Sequence, residues 1–506
     1  MKRLLTVLVV FTLVASVGAV KENKTPKKRV LVIGLDGATL DTMIPWMEQG
    51  KLPNIKKLAD KGVVGRLHSV IPYVSPVAWS SFMTGNYPGQ HGVYGFQQCH
   101  VGEYKPYIPM ANDVHGKTLW RILSDNKKKV IVMNVLMTYP LEDVNGVIIG
   151  DLLSPGIAVK PYKYKSWLED EGYIVEGKGF MNTEKPEFLE SLYETTDKRV
   201  DVAVKLMEKE PDWEFFMILV SGTDRIQHYL WGDMEDKHPQ FGNAIEEYYK
   251  HVDKLVGQMV DAAGEDTTVI LLSDHGFGRQ DSRVHINHWL IEKGFMTPED
   301  TWENKKAMWT IRLSGFMKES GISEIIRKVL VRFFKGEKAD MQPPKVEIDY
   351  SPDKTPVFTC GYYTGQLYMN PKLSEEEYHK QRERLIAELE TLRDPGTGEK
   401  VIKEIYRRED IYKGSQVKLA PDVIIVPNGN YWIVGGLNYY KLVEPVWRDT
   451  GEHRIDGMLI MSGPGVRKNI DVIRADLVDV APTVLDMFGI KPDMDGKVIT
   501  EALEKQ

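Results

Sequence analysis

From Lys27 onward the chain alternates short apolar runs with stretches in which apolar residues recur every three or four positions. The runs Arg29 to Leu35, Val130 to Asn134, Phe215 to Val220, Thr268 to Ser273 and Asp422 to Val426 read as buried strands. Between them lie helical patterns; Ile245, Tyr249, Val252, Val256 and Met259 fall on one face of a helix. Strands alternating with helices predict an α/β fold, a mostly parallel central sheet with helices on both faces. Ligands gather at the carboxyl ends of the strands in such sheets.

The alternation fails in two places. Lys2 and Arg3 precede an uncharged apolar run from Leu4 to Val20, followed by the polar KENKTPKK. This is the layout of a secretory signal over residues 1–19, with Val17-Gly18-Ala19 as a small-residue cleavage site. The run also reaches the minimum length of an uncleaved membrane anchor. Either reading exports the folded part to the periplasm, the exterior or the outer face of a membrane. The second break is at about residues 300–345, a charged stretch expected to form a small helical cap inserted in one catalytic domain spanning 27–506. Within it Ile322 to Lys335 is a basic amphipathic helix. It reads as a solvated cap with one face packed on the domain; the sharper alternative is contact with a membrane surface.

Composition narrows the classes. The 506 residues, 42% hydrophobic and 27% charged, describe a globular chain with a large core. A formal charge of -7 gives no reason to expect a nucleic-acid partner. Cys99 and Cys360 can form one bridge in an oxidising compartment, though spacing does not bring them together.

Three of the predicted strands are followed closely by a carboxylate: Asp36 in LDG, Asp224 in SGTDRIQH and Asp274 in SDHG. One such residue is ordinarily a helix cap. Three, two of them accompanied by histidine, point to a shared site. Asp224 and His228 are four apart and share a helical face. Asp274 and His275 are adjacent and converge only where the strand gives way to a turn, which Gly276 would permit. With His453 in GEHRIDG, the inventory is three carboxylates and three imidazoles. That mixture suits two zinc-like ions better than magnesium, which prefers oxygen ligands alone. Three carboxylates without cations would repel an anionic ester, whereas two divalent ions would reverse the charge and lower the pKa of a nearby hydroxyl.

Ser75 is the candidate hydroxyl. Pro76 biases it towards extended backbone, and Ala78 to Thr84 reads as a helix start, where amide dipoles favour a bound phosphate. An ordinary helix cap explains a serine there equally well. Spacing alone leaves Ser80, Ser81 and Thr84 in competition with it.

In order along the chain, LDG, SPVAWSSFMTGNYPGQHGVYGF, SGTDRIQHYLW, SDHGFG, HRIDGMLIMSGPG and DLVDVAPTVLDMFGIKPDMDG resemble the alkaline phosphatase superfamily. The resemblance is to its type I phosphodiesterase/nucleotide pyrophosphatase branch and runs from about Arg29 to Val498. It implies an alkaline-phosphatase-like fold and two divalent metal ions, expected to be zinc. One would be held by Asp224, His228 and His453, the other by Asp36, Asp274 and His275, with Ser75 as the nucleophile touching the latter. The implied substrate is a small phosphate ester, cleaved at a phosphodiester or phosphoanhydride bond through a phosphoseryl intermediate.

The chain departs from that branch in two respects. Serine replaces the usual threonine nucleophile, and Phe96 stands five residues after His91, where an asparagine usually touches phosphate. The segment Ser75 to Trp79 lacks the arginine of sulfatases, and no arginine partner for the nucleophile is evident. The alternatives are a phosphomonoesterase of the same superfamily, an envelope phosphoryl-group transferase, and a metal-bearing scaffold without turnover. The last would be expected to have lost a ligand or the nucleophile.

Overall fold

The computed structural model describes residues 28–179, 183–319, 345–362, 365–446, 448–491 and 493–505. The signal or anchor segment and the Ile322 to Lys335 helix expected from sequence lie outside the described residues.

Among these residues the largest sheet has nine strands. Their order is Ile470–Asp476, Val63–His68, Asp456–Ser462, Thr267–Leu272, Arg29–Leu35, Phe215–Val220, Val130–Met133, Gly146–Ile149 and Val159–Lys160. Only Asp456–Ser462 and Val159–Lys160 run against their neighbours. The central strand Arg29–Leu35 pairs in parallel on both sides, Val30 lying opposite Phe215 and Thr268. Alternation along it distributes the core. Leu31, Ile33 and Leu35 face helices Lys185–Lys209 and Ala244–Ala263 through Leu206, Val252 and Val256. Val30 and Val32 face Ser75–Thr84 and Leu119–Asp125 through Val77, Phe82 and Leu119. Both faces are thus covered, which is why these strands read as continuous apolar runs.

One predicted strand lies elsewhere. Val423–Pro427 belongs to a four-stranded antiparallel sheet with Val357–Thr359, Gln366–Met369 and Ile402–Arg407. Its apolar run misleads because both of its faces are also buried: Val423 and Ile425 join one small core, Ile424 another. This second sheet, with the three-stranded sheet Tyr431–Val434, Ser282–His285 and Val443–Pro445, forms a lobe beside the main sheet. The Cys99–Cys360 disulfide is formed, linking the segment after the Ser75 helix to that lobe. Within the expected cap, Trp302–Glu319 is a helix whose Ala307 and Ile311 are buried while Trp302, Trp309 and Phe316 are exposed.

Candidate metal and nucleophile site

Thr267–Leu272, Arg29–Leu35 and Phe215–Val220 are neighbours at the centre of the sheet. Their carboxyl ends deliver Asp274, Asp36 and Asp224 to one place. After Leu35 the chain turns at Gly37, whose φ of 66° places it in the left-handed region, and the Gly37 amide donates to Asp274 Oδ1 at 3.3 Å. Asp224 and His228 lie in the first turns of helix Gly222–Glu235. His453 arrives on a two-stranded ribbon, Gly451–Arg454 against Gly276–Arg279. All seven residues singled out from sequence therefore converge.

Gly276 has a different role from the one expected. Its backbone is extended in the ribbon, and a Cβ there would lie 2.1 Å from the Asp456 carbonyl oxygen. Glycine is needed for close approach, not for the turn. Gly276→Ala should push apart the strands that carry His275 and His453, costing about 1–3 kcal/mol. Thermal unfolding beside a zinc titration checks this; an unchanged melting temperature and zinc affinity would contradict it.

The histidines share one orientation. Nδ1 of His228 donates to Gly451 O at 2.9 Å, that of His275 to Gly276 O at 3.0 Å, and that of His453 to Tyr73 O at 3.2 Å. A carbonyl oxygen only accepts, so each Nδ1 carries a proton and Nε2 is the atom that each ring turns inward, where a neutral ring can serve a cation. There imidazole and carboxylate groups crowd together. In the absence of a cation burial lowers His228, but Asp224 and Glu452 outweigh it and raise the ring well above the usual imidazole range. His228 Nε2 is 3.0 Å from His453 Nε2, which is 3.2 Å from Asp224 Oδ1. His275 Nε2 is 3.4 Å from Asp274 Oδ2 and 3.6 Å from Asp36 Oδ1. Asp36 Oδ1, Asp224 Oδ1 and Asp274 Oδ2 are buried without hydrogen-bond partners. Buried acceptors crowded together demand cations, so the donor set fits divalent metal. Asp224, His228 and His453 form one possible metal-holding group, and Asp224 also reaches Asp36 and His275. It therefore stands between the two clusters.

Without cations the carboxylates compete for protons. Burial, then Asp274 and Asp224, raises Asp36 well above the usual range. Burial is also the main cause of the rise of Asp274 to about 7. Burial pushes Asp224 up as well, but His228 and His453 outweigh it and hold that carboxyl low. Burial, with His275 beside it, depresses His453 to about 3.

Ser75 begins helix Ser75–Thr84, and its Oγ lies 3.3 Å from His275 Nε2. Its competitors are occupied. Ser80 donates to Pro76 O, Thr84 donates to Ser80 O, and Ser81 bonds His91 Nε2 at 2.8 Å. Of these four hydroxyls, Ser75 is the one that adjoins the cluster.

Ser75, Asp36, Asp224, His228 and His453 line a cavity of about 280 Å³. Sequence reasoning missed several of its other walls. Asp449 Oδ1 lies 3.7 Å from His228 Nδ1, while its other oxygen is 2.5 Å from Arg283. Glu452 accepts from the His453 amide, and burial lifts its carboxyl to about 7. Both sit in the charged run just before His453, a signal that was legible. Arg199 and Arg225, which the search for an arginine beside Ser75 did not pick out, also line this cavity. Arg199 is more than a hundred residues from Ser75, so proximity in sequence was the wrong criterion. The signal lay in its place on the apolar stripe of helix Lys185–Lys209, with Leu192, Thr196, Ala203 and Leu206. Phe96 stands in the wall, as the apolar reading of that position requires.

The chain matches the family model described as type I phosphodiesterase / nucleotide pyrophosphatase over residues 30–453. Solved structures share the fold at low identity. Murine ectonucleotide pyrophosphatase/phosphodiesterase 5, an inactive variant in complex with AMP, is 12% identical with a TM-score of 0.54, covering 94% of this chain and 100% of that one. Phosphonoacetate hydrolase from Sinorhizobium meliloti in complex with phosphonoformate is 13% identical, TM-score 0.55, covering 90% and 94%. The alkaline phosphatase PafA is 14% identical, TM-score 0.59, covering 94% and 99%. No curated protein sequence matches the chain. With the family model spanning most of its length, the chain belongs to the type I phosphodiesterase/nucleotide pyrophosphatase family, a family of phosphate-ester hydrolases.

Proposed function

We propose that the protein is a two-metal hydrolase that cleaves phosphodiester or phosphoanhydride bonds of small organic phosphates through a phosphoseryl intermediate. The observation that carries this reading is the convergence of three inward-turned imidazole Nε2 atoms and three buried carboxylate oxygens without hydrogen-bond partners beside the Ser75 hydroxyl. Asp224, His228 and His453 would hold one ion; Asp36, Asp274 and His275 would hold the other, with Ser75 touching it. Zinc suits this mixture of imidazole and carboxylate. Bound divalent cations supply positive charge for the phosphoryl oxygens and lower the pKa of the hydroxyl.

Ser75 Oγ attacks phosphorus in line, so that the Oγ–P bond forms as the bond to the leaving oxygen breaks. Water then attacks the phosphoseryl group and returns Ser75 to its starting state. The Nδ1 bonds to Gly451, Gly276 and Tyr73 hold the three rings in place throughout. Val74, Phe96 and Trp432 offer an apolar wall that continues into a smaller pocket with Tyr73, Ile425 and Ile433. A monoester has no second organic group to fill such a wall, whereas a diester does.

Purified metal-loaded enzyme should therefore show a higher kcat/KM on bis-p-nitrophenyl phosphate than on p-nitrophenyl phosphate. The reverse order would replace this reading with a phosphomonoesterase. Transfer of the phosphoryl group to an added alcohol in preference to water would replace it with a transferase. The expected site of action is outside the cytoplasm, a reading supported by the Cys99–Cys360 bridge, since disulfides persist in oxidising compartments.

A further inference from the structure

The catalytic cavity has a polar wall that the hydrolytic steps above do not use. It comprises Asn134, Glu176, Arg199, Ser221 and Arg225. Asn134 ends the strand Val130–Met133, next to Phe215–Val220 in the sheet, with φ of 63°, a left-handed conformation in which asparagine is among the better-tolerated residues. Its Oδ1 accepts from the Tyr173 hydroxyl, which fixes the amide and leaves Nδ2 with no hydrogen-bond partner. The side chain is only 6% exposed. A buried amide donor left unmatched costs about 1–3 kcal/mol, so its position calls for an acceptor that a ligand would bring.

Two guanidinium groups line the same cavity. Arg199 is held rigidly: Nε donates to Ile174 O at 3.2 Å, Nη1 to Ser221 Oγ at 2.9 Å, and Nη2 to Val175 O. Arg225 pairs with Glu176, whose other oxygen lies 4.0 Å from Arg199 Nη2. One carboxylate between two guanidiniums leaves the wall with net positive charge. Such a charge in a cleft, beside an unmatched donor, favours an anion rich in acceptor oxygens.

We propose that Asn134, Arg199 and Arg225 form a subsite for a second anionic group of the substrate, a phosphate or a carboxylate carried beyond the scissile phosphoryl group. This rests on the hydrolase reading above and narrows it. Substrates with a second charge, such as phosphoanhydrides, are preferred to diesters with two neutral arms. The apolar wall of Phe96 and Trp432 then takes an uncharged part of the same molecule.

Three phosphonates, inert to hydrolysis at the P–C bond, test this by calorimetry on the zinc-loaded full chain. Propylphosphonate has no second anion, 3-phosphonopropionate adds a carboxylate, and ethane-1,2-diphosphonate adds a second phosphonate. At least one of the two-anion ligands should bind about tenfold tighter than propylphosphonate, the order of one charge-assisted hydrogen bond. Which of the two binds tighter identifies carboxylate or phosphate as the natural group. Asn134→Asp should bring that ratio close to one. Glu176→Gln, by removing the competing carboxylate, should raise it severalfold; a merely structural salt bridge predicts no gain. Equal binding of all three ligands by the wild-type protein, or a ratio that neither substitution moves, overturns the subsite while leaving the hydrolase reading in place. If the wild-type protein binds none of the three, both fall.

Discussion

Ser75→Ala should reduce turnover by at least about a thousandfold, within the range seen when a catalytic nucleophile is removed. The fold and the metal content should survive, because the serine Oγ contributes one 3.3 Å contact to His275 and the helix it begins is retained. The contrast with its neighbours is the informative part. Ser80→Ala removes only a bond to Pro76 O within the helix and should be mild. Ser81→Ala strips His91, a fully buried ring, of its hydroxyl partner and should cost stability, about 1–3 kcal/mol, more than it costs turnover. Single-turnover experiments with labelled substrate, followed by mapping of the phosphorylated residue, provide the measurement. Label trapped on any serine other than Ser75 would refute the assignment.

Removal of metal should abolish activity, and zinc should restore it best, since three imidazoles disfavour magnesium. Chelated protein that keeps full turnover would sink the two-metal reading. His228→Ala and His453→Ala should each lower activity by more than about 100-fold, because even the outer partners of a metal ligand are worth 10–100-fold. Both should empty the same position, as their Nε2 atoms lie 3.0 Å apart beside Asp224. Two metals bound normally in either variant would mean that the ligands are grouped differently. Affinity for zinc should also fall as pH drops below about 7. Burial raises the Asp274 carboxyl to about 7, so below that pH a proton must leave before the carboxylate can bind a cation. Competition titrations at pH 6 and pH 8 read this directly, and equal affinities would contradict it.

Much of this arrangement was legible in the chain because local chemistry and global fold agree. The strands Arg29–Leu35, Phe215–Val220 and Thr267–Leu272 are apolar throughout, and each is followed closely by an aspartate. A parallel sheet brings such ends together whatever the loops do. The helical spacing of Asp224 and His228 and the apolar stripe of Ala244–Ala263 were equally local signals. Where a pattern had two physical causes, the reading went astray. The run at Val423–Pro427 is buried on both faces like a parallel strand, yet it pairs in an antiparallel sheet.

The sequence by itself determined the fold class and the inventory of acidic and imidazole side chains, and through resemblance it proposed Ser75. Only the tertiary structure decided the rest. It fixed which nitrogen of each histidine faces the site, because this depends on carbonyls of Gly451, Gly276 and Tyr73, and the Tyr73 carbonyl that holds His453 comes from a segment 380 positions away. It made Gly276 a site of close approach, because Asp456 on another strand sets the space beside it. It brought Arg199, Arg225 and Asn134 to one cavity wall from three separate elements. Residue spacing reports periodicity within one element; distances between elements depend on packing, and those distances set the shape of this site.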